Sequence, residues 1–217
     1  RFRETGYPMN QDQQAAQLTR RQANRVNNRE AIMDAARLVF AELGQGATTV
    51  RDIIRRTELA SGTFYNYFES KEAVYQALTD EIGNELRAKL SAARAKAKNF
   101  EEFVENSFFT YFRYYAEKPQ IYNLVRANRT LDAFPSSLSG QQAQNGLKEM
   151  RRDMEKAMAD GVIPQVDAGY VTVSMGGVAF SVRDEMMARN PLDPDGAARF
   201  ATRLFLSGLS GMGDDEK

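Results

Sequence analysis

TTVRDIIRRTELASGTFYNYFESKEAVYQAL, residues 48–78, reads as three short helical units in succession. Thr49-Val50-Arg51-Asp52 carries the capping-box pattern, in which a Thr oxygen accepts from an orphan N–H of the first turn and an acid three residues on accepts from the Thr N–H. A helix is expected to start there. Val50, Ile53 and Ile54 share one face at helical spacing, leaving Arg51, Arg55 and Arg56 to solvent or to a partner. That helix should stop near Thr57, and Ser61-Gly62 reads as a cap followed by a residue with no side chain to obstruct close approach. In the second, barely two-turn helix, Phe64 and Phe68 are four apart and point inward together, which turns Tyr65, Asn66 and Tyr67 outward. Ser70 then caps a third helix opening Lys71-Glu72-Ala73.

Two helices joined by a short turn, the second displaying Ser, Thr, Asn and two Tyr, have the design of a helix-turn-helix. An exposed Tyr favours a wet or hydrogen-bonded hydroxyl, and a phosphate oxygen supplies that partner. T-V-x-x-I followed by S-G-T-F-Y-x-Y-F-x-S-K-E resembles the TetR family of bacterial transcriptional regulators, over roughly Asn28 to Ile82. Tyr67 stands where many members carry His, and either side chain donates to a phosphate. The resemblance implies an all-α chain, in which an N-terminal three-helix helix-turn-helix domain is joined by a long helix to a C-terminal helical bundle that dimerises. The expected division is a flexible basic arm over 1–27, the DNA-binding domain over 28–75, and a ligand-binding and dimerisation domain over 76–217.

The residues expected to contact a double-stranded DNA operator are Thr49, Arg51, Ser61, Gly62, Thr63, Tyr65, Asn66, Tyr67 and Lys71. Thr49 is a cap whether or not DNA is present, although helix N-termini attract anions. Lys71 lies in a first helical turn, where a cation opposes the macrodipole unless it serves a partner. Gly62 permits close approach, a Thr63 methyl matches a thymine methyl, and Arg51 and Asn66 have the reach for guanine and adenine edges. The competing reading of surface Arg and Asn is plain solvation.

Composition narrows the functional classes. Lys plus Arg and Asp plus Glu balance at 29 each, so no global field marks a nucleic-acid binder, but residues 1–29 hold six Arg against two acids. Arg20, Arg21 and Arg25 could lie in a minor groove as a flexible arm, or form a solvated tail of the same composition. The chain has no Cys and no His, which removes disulfides, thiol nucleophiles, thiolate and imidazole metal ligands, and the usual general base. No enzymatic activity, metal or cofactor is expected. No apolar run reaches membrane-spanning length and the first residues have no signal-like apolar core, so a cytoplasmic, non-membrane protein is expected.

Residues 1 to about 26 lack an apolar period, and disorder or extension is expected there. Asn27 or Asn28 then caps a helix with Ile32, Ala35, Ala36, Val39, Phe40 and Leu43 on one face, ended by Gly44. A long helix runs from Lys71 to about Lys98, with Val74, Leu78, Ile82, Leu86 and Leu90 in phase. Asn99 caps the next, an aromatic helix. A short helix through Ile121 and Leu124 leads to a loop over Leu131–Ser137, and helices through Leu147–Met158, Tyr170–Arg189 and Ala197–Leu209 follow.

From Tyr170 to Val182 apolar or small residues fall on all sides, and Gly176-Gly177 costs about 1 kcal/mol per Gly relative to Ala in mid-helix. Both features fit a helix covered on two faces. The last helix offers Ala197, Ala201, Leu204 and Gly208 on one edge, with Ala198, Phe205 and Leu209 beside it, so two such helices from each of two chains would form a four-helix homodimer interface, as the resemblance also implies. A monomer with a large core is the alternative. Nine of the 22 Phe and Tyr fall between Phe100 and Tyr122. Such stripes are more often core, but the resemblance implies a small-molecule effector, and Phe108, Phe112, Tyr115, Met154 and Met175 are the expected walls of a pocket for an apolar or aromatic ligand. The function expected is that of a ligand-responsive repressor released from a palindromic operator. The rival is a DNA-bound adaptor of the same fold that acts through protein partners and has a filled core.

Overall fold

The computed structural model describes residues 11–127 and 141–210, with side chains from 22 to 127 and from 144 to 207. Every element among them is helical: α1 Gln11–Ala47, α2 Val50–Ile54, α3 Ser61–Phe64, α4 Lys71–Arg94, α5 Phe100–Glu117, α6 Pro119–Ala127, α7 Gln141–Ala159, α8 Ala168–Ala188 and α9 Pro194–Ser210. Helices α1 to α3 and the start of α4 bury Ile32, Val39, Phe40, Ile53, Phe64, Phe68, Val74 and Leu78. The rest of α4 enters a bundle in which α5 packs on α4 and α9, α7 on α4, and α8 on α7 and α9. No described helix is long and apolar enough to cross a membrane.

The capping box forms as read. Asp52 N donates to Thr49 Oγ1 at 3.2 Å, and Thr49 N donates to the Asp52 carboxylate at 3.0 Å. Ser70, Asn99 and Asp167 likewise accept from backbone N–H groups at the starts of α4, α5 and α8. These caps satisfy orphan donors that would otherwise be left unpaired.

Several expectations need correction. Helix α1 begins at Gln11, well before the cap expected at Asn27 or Asn28; residues 11–26 contain neither Gly nor Pro, and Gln, Ala and Arg propagate a helix once a packed segment has nucleated it. Ser61 lies inside α3, and the cap position falls to Ala60 with no side-chain hydrogen bond. Leu43 is 50% exposed, because the chain leaves helical geometry at Gly44, whose φ is 73°. The long helix ends at Arg94 rather than Lys98. The loop expected over Leu131–Ser137, and the positions Gly208 and Leu209 as side chains, lie outside the described residues.

Gly44 also explains how α6 sits. A Cβ at this position would come 3.0 Å from the Ala127 carbonyl oxygen, so the end of α6 meets the α1 bend where only a glycine leaves room. Two ion pairs fasten α7 to the long helix, Arg87 to Glu149 at 3.3 Å and Arg94 to Asp153 at 2.7 Å.

Candidate nucleic-acid interface

Inward rings and a compact scaffold set the outward face. Phe64 and Phe68 are buried, with ring centroids 6.1 Å apart, and they anchor a recognition helix too short to hold itself. Their burial forces Tyr65, 61% exposed, and Asn66 to the outside. Ser61 and Gly62 are exposed at the tip, Thr63 is half-buried, and Arg51 is exposed on α2. Gly62 carries the strongest signal. A Cβ there would meet nothing of this chain within 4 Å, although glycine weakens a helix by roughly 1 kcal/mol relative to alanine. The room it leaves has no intramolecular use.

Three of the expected contact residues have partners inside the fold. Thr49 Oγ1 donates its one proton to Asp52 at 2.6 Å, and these hydrogen bonds from Thr49 hold the exposed carboxyl below the usual range; the hydroxyl has no second proton for a phosphate. Tyr67 is half-buried and its hydroxyl accepts from Asn28 Nδ2 at 3.3 Å, which leaves its own proton available. Lys71 Nζ donates to the carbonyls of Gln45, Gly46 and Thr48 at 2.8, 3.1 and 2.7 Å. An ammonium has three donors, so all are taken. The cation that looked misplaced at a helix N-terminus closes the C-terminal end of α1, where carbonyls favour it.

Lys71→Ala should accordingly lower stability by about 2 kcal/mol, since bonds to a charged donor contribute about 1.5–3 kcal/mol each and partial exposure reduces this. That corresponds to a melting shift of roughly 4–8 °C in a chain of this size. The salt dependence of DNA binding should be unchanged. A slope shallower by about one with an unaltered melting temperature would instead put the ammonium on a phosphate in the complex.

The C-terminal bundle gathers the other expected residues. Phe108, Phe112, Tyr115, Met154 and Met175 are all buried and belong to one apolar cluster. Phe108 stacks on Phe112 at 6.0 Å and meets Phe205 edge-on at 6.4 Å. At the centre sits Arg183, 1% exposed. Its Nη1 donates to the Tyr111 hydroxyl at 2.9 Å, and Nε and Nη2 donate to Asp184 Oδ1 at 3.1 and 2.9 Å. The rings of Tyr115, Phe180 and Tyr122 lie 4.9, 5.2 and 5.7 Å from its guanidinium carbon. Burial opposes its charge, yet the surrounding Tyr111, Tyr115 and Asp184 oxygens raise its pKa further; burial pushes Tyr111 well above an ordinary phenol. Sequence reasoning missed Arg183. Its phase was legible, since Arg183 follows Met175 and Ala179 at steps of four on the buried face of α8.

A crevice of about 190 Å³ lies between α1, α4 and α6, lined by Arg37, Glu81, Glu85 and Lys118 with three neighbours, and none of the five expected effector residues is among them. Lys118 and the Tyr114 hydroxyl donate to Glu85, and chiefly the Lys118 bond holds that carboxyl below its ordinary range. The buried hydroxyls of Thr172 and Thr202, on α8 and α9, find no hydrogen-bond partner among the described residues.

An exposed apolar face lies on α8 and α9. Tyr170 and Val173 are 79% and 55% exposed, Phe200 and Leu204 54% and 51%. Gly177, on α8, has open space where a Cβ would stand. Ala198, Ala201 and Phe205 turn instead into their own bundle, and Phe200, which the sequence reading did not single out, takes the outer edge.

Residues 32–78 match the family model for bacterial regulatory proteins of the tetR family. The A-factor receptor protein of Streptomyces griseus is 39% identical over 61 residues, which is 28% of this chain and 22% of that protein. The HTH-type transcriptional repressor KstR2 of Rhodococcus jostii is 31% identical over 84 residues, 37% of this chain and 41% of that protein. The chain thus matches less than half the length of either curated relative. A crystal structure of the transcriptional regulator FadR from Bacillus subtilis in complex with stearoyl-CoA superposes with a TM-score of 0.71 over 82% of this chain and 98% of that one, at 19% identity. That likeness shows the fold, an N-terminal helix-turn-helix followed by a helical domain.

Proposed function

The helix-turn-helix of this chain is that of the tetR family of bacterial regulatory proteins, and from that premise we propose that it is a homodimeric, ligand-responsive transcriptional repressor that binds a palindromic operator. The single observation that carries the DNA-binding part is Gly62, a helical glycine at an exposed tip with open space before it, flanked by exposed Ser61, Tyr65 and Asn66. Residues 28–75 form the DNA-binding domain in this reading and 76–217 the regulatory one. Thr63, Asn66 and Arg51 face base edges; Tyr65, Tyr67 and the N-terminus of α2 at Thr49 face phosphates. Lys71 holds the domain together rather than touching DNA.

The apolar face of Tyr170, Val173, Phe200 and Leu204 serves as the two-fold interface, because each recognition helix supplies one half-site and a dimer fixes their spacing. The effector part is supported by the stearoyl-CoA named with the FadR structure and by the unpaired hydroxyls of Thr172 and Thr202, which a ligand with one polar end could satisfy. One observation favours the adaptor alternative: the aromatic centre is occupied by Arg183 and its rings.

Selection of duplex DNA from a random pool by the full chain tests the first part, with recovery of an inverted repeat as the expected result and no enrichment as the result that refutes it. The same protein is then melted with saturated fatty acids and acyl-CoA thioesters. A ligand at a hundredfold excess over its Kd stabilises by about 2.7 kcal/mol, roughly 5–11 °C here, and must also release the selected duplex. DNA binding with no stabilising ligand selects the adaptor.

A further inference from the structure

We propose that the N-terminal part of α1 is a rigid basic spur that rests on the DNA phosphates flanking each half-site, with Arg25 as its contact. The proposal rests on the reading of α2 and α3 as the DNA face and extends the footprint beyond it. Helix α1 runs from Gln11 to the bend at Gly44, so its part ahead of Asn28 spans roughly 25 Å at 1.5 Å per residue. Its direction is set where it meets the recognition segment: Asn28 Nδ2 donates to the Tyr67 hydroxyl at 3.3 Å, and the Arg29 guanidinium lies 5.2 Å from the Phe68 ring centroid. The face of α1 that carries Arg29 therefore abuts the end of the DNA-reading element. Arg25 stands one turn further out on that face.

Arg25 is exposed and has no ion-pair partner among the described residues. No acid lies between Asp12 and Glu30, so the helix itself does not neutralise it. Leu18 and Val26 are the only large apolar residues from 11 to 27, too few for a stripe that would seat in a protein groove. Charge complementarity thus points to a polyanion. Helical structure also decides how Arg25 reaches it. A helix with side chains is about 10–12 Å across, whereas the minor groove is about 6 Å wide, so the spur cannot enter as a flexible arm would. It crosses the backbone and contributes affinity without reading sequence.

The experiment compares full-length wild type with Arg25→Gln on the operator recovered by selection, in a duplex with long flanks and in one trimmed to the outer edges of the half-sites. Each lost phosphate contact reduces the salt slope by about 0.9. Arg25 occurs once in each protomer of the dimer, so two contacts are lost, and on the long duplex the variant should lose about tenfold less affinity than wild type between about 50 and 200 mM salt. On the trimmed duplex the two proteins should coincide. Asn27→Pro, which drives Val26 out of helical geometry and breaks the helix between Arg25 and the packed region, should reproduce the loss on the long duplex. Equal slopes on the long duplex, an equal difference on both duplexes, or a wild-type slope for Asn27→Pro each overturn the spur. Failure of wild type to bind any duplex overturns the DNA-binding reading itself.

Discussion

Phe200→Glu combined with Leu204→Glu should yield a folded monomer of 24.4 kDa that no longer holds its operator. Phe200 and Leu204 are more than half exposed and one helical turn apart on α9, so within the single chain two carboxylates there meet water and cost little. Across the proposed two-fold axis the same positions would face their own copies and the apolar Tyr170 and Val173 of α8. Burying four unpaired carboxylates would then cost several kcal/mol each, more than an ordinary interface can offset. A monomer keeps one half-site's contacts, so the salt slope of DNA binding should fall by about half and affinity by more than about a hundredfold. Helical content should match wild type, and Lys156→Glu, a charge reversal on exposed α7, should leave the assembly intact. Sedimentation that shows a dimer for the double variant at micromolar concentration would remove α8 and α9 as the interface.

Arg183→Ala carries the second large effect. The side chain is the largest of those fully buried among the described residues, and its loss leaves both a cavity and a Tyr111 hydroxyl without its donor. Removing one partner of a buried pair costs about 3–5 kcal/mol, and at about 2–4 °C per kcal/mol the melting temperature should drop by roughly 10 °C. Arg183→Met separates volume from charge. Asp184 is about one-third exposed as a side chain, 32%, and can turn to water, so Met should recover more than half of the loss if packing dominates. Should Met be as damaging as Ala, the hydrogen bond and ring stacking carry the stability. A melting temperature for Arg183→Ala within about 2 °C of wild type would contradict the central packing role.

The reach of sequence reasoning follows from the range of the interactions concerned. Thr49 and Asp52 find each other three residues apart, and Phe64 and Phe68 share a face because the helix period puts them there. Both were legible, as were the caps at Ser70 and Asn99. The Lys71 reading also began correctly, with a cation on the wrong end of a helix, but the sequence offered only an external partner. The actual acceptors lie at Gln45 to Thr48, carbonyls that no residue pattern marks. Among the expected effector residues, periodicity identified the buried phase of each helix. It could not say whether that phase encloses space or another side chain.

By itself the sequence determined the helix starts at the caps Thr49, Ser70 and Asn99, the inward and outward faces of α2 to α4, and the identity of the helix-turn-helix motif, all of which depend chiefly on groups within about one helical turn of each other. Tertiary structure decided the rest. It assigned Lys71 to the end of α1, carried α1 past Asn28 beside Tyr67 and Phe68, and placed Arg183 under Tyr111, 72 residues away. It also separated Ala201, inside its own bundle, from Phe200 and Leu204 on the outer edge. A period of 3.6 residues tells which side of a helix is covered, but what covers it depends on how helices distant in sequence cross, and long side chains such as Lys and Arg choose among partners that only the crossing brings within reach.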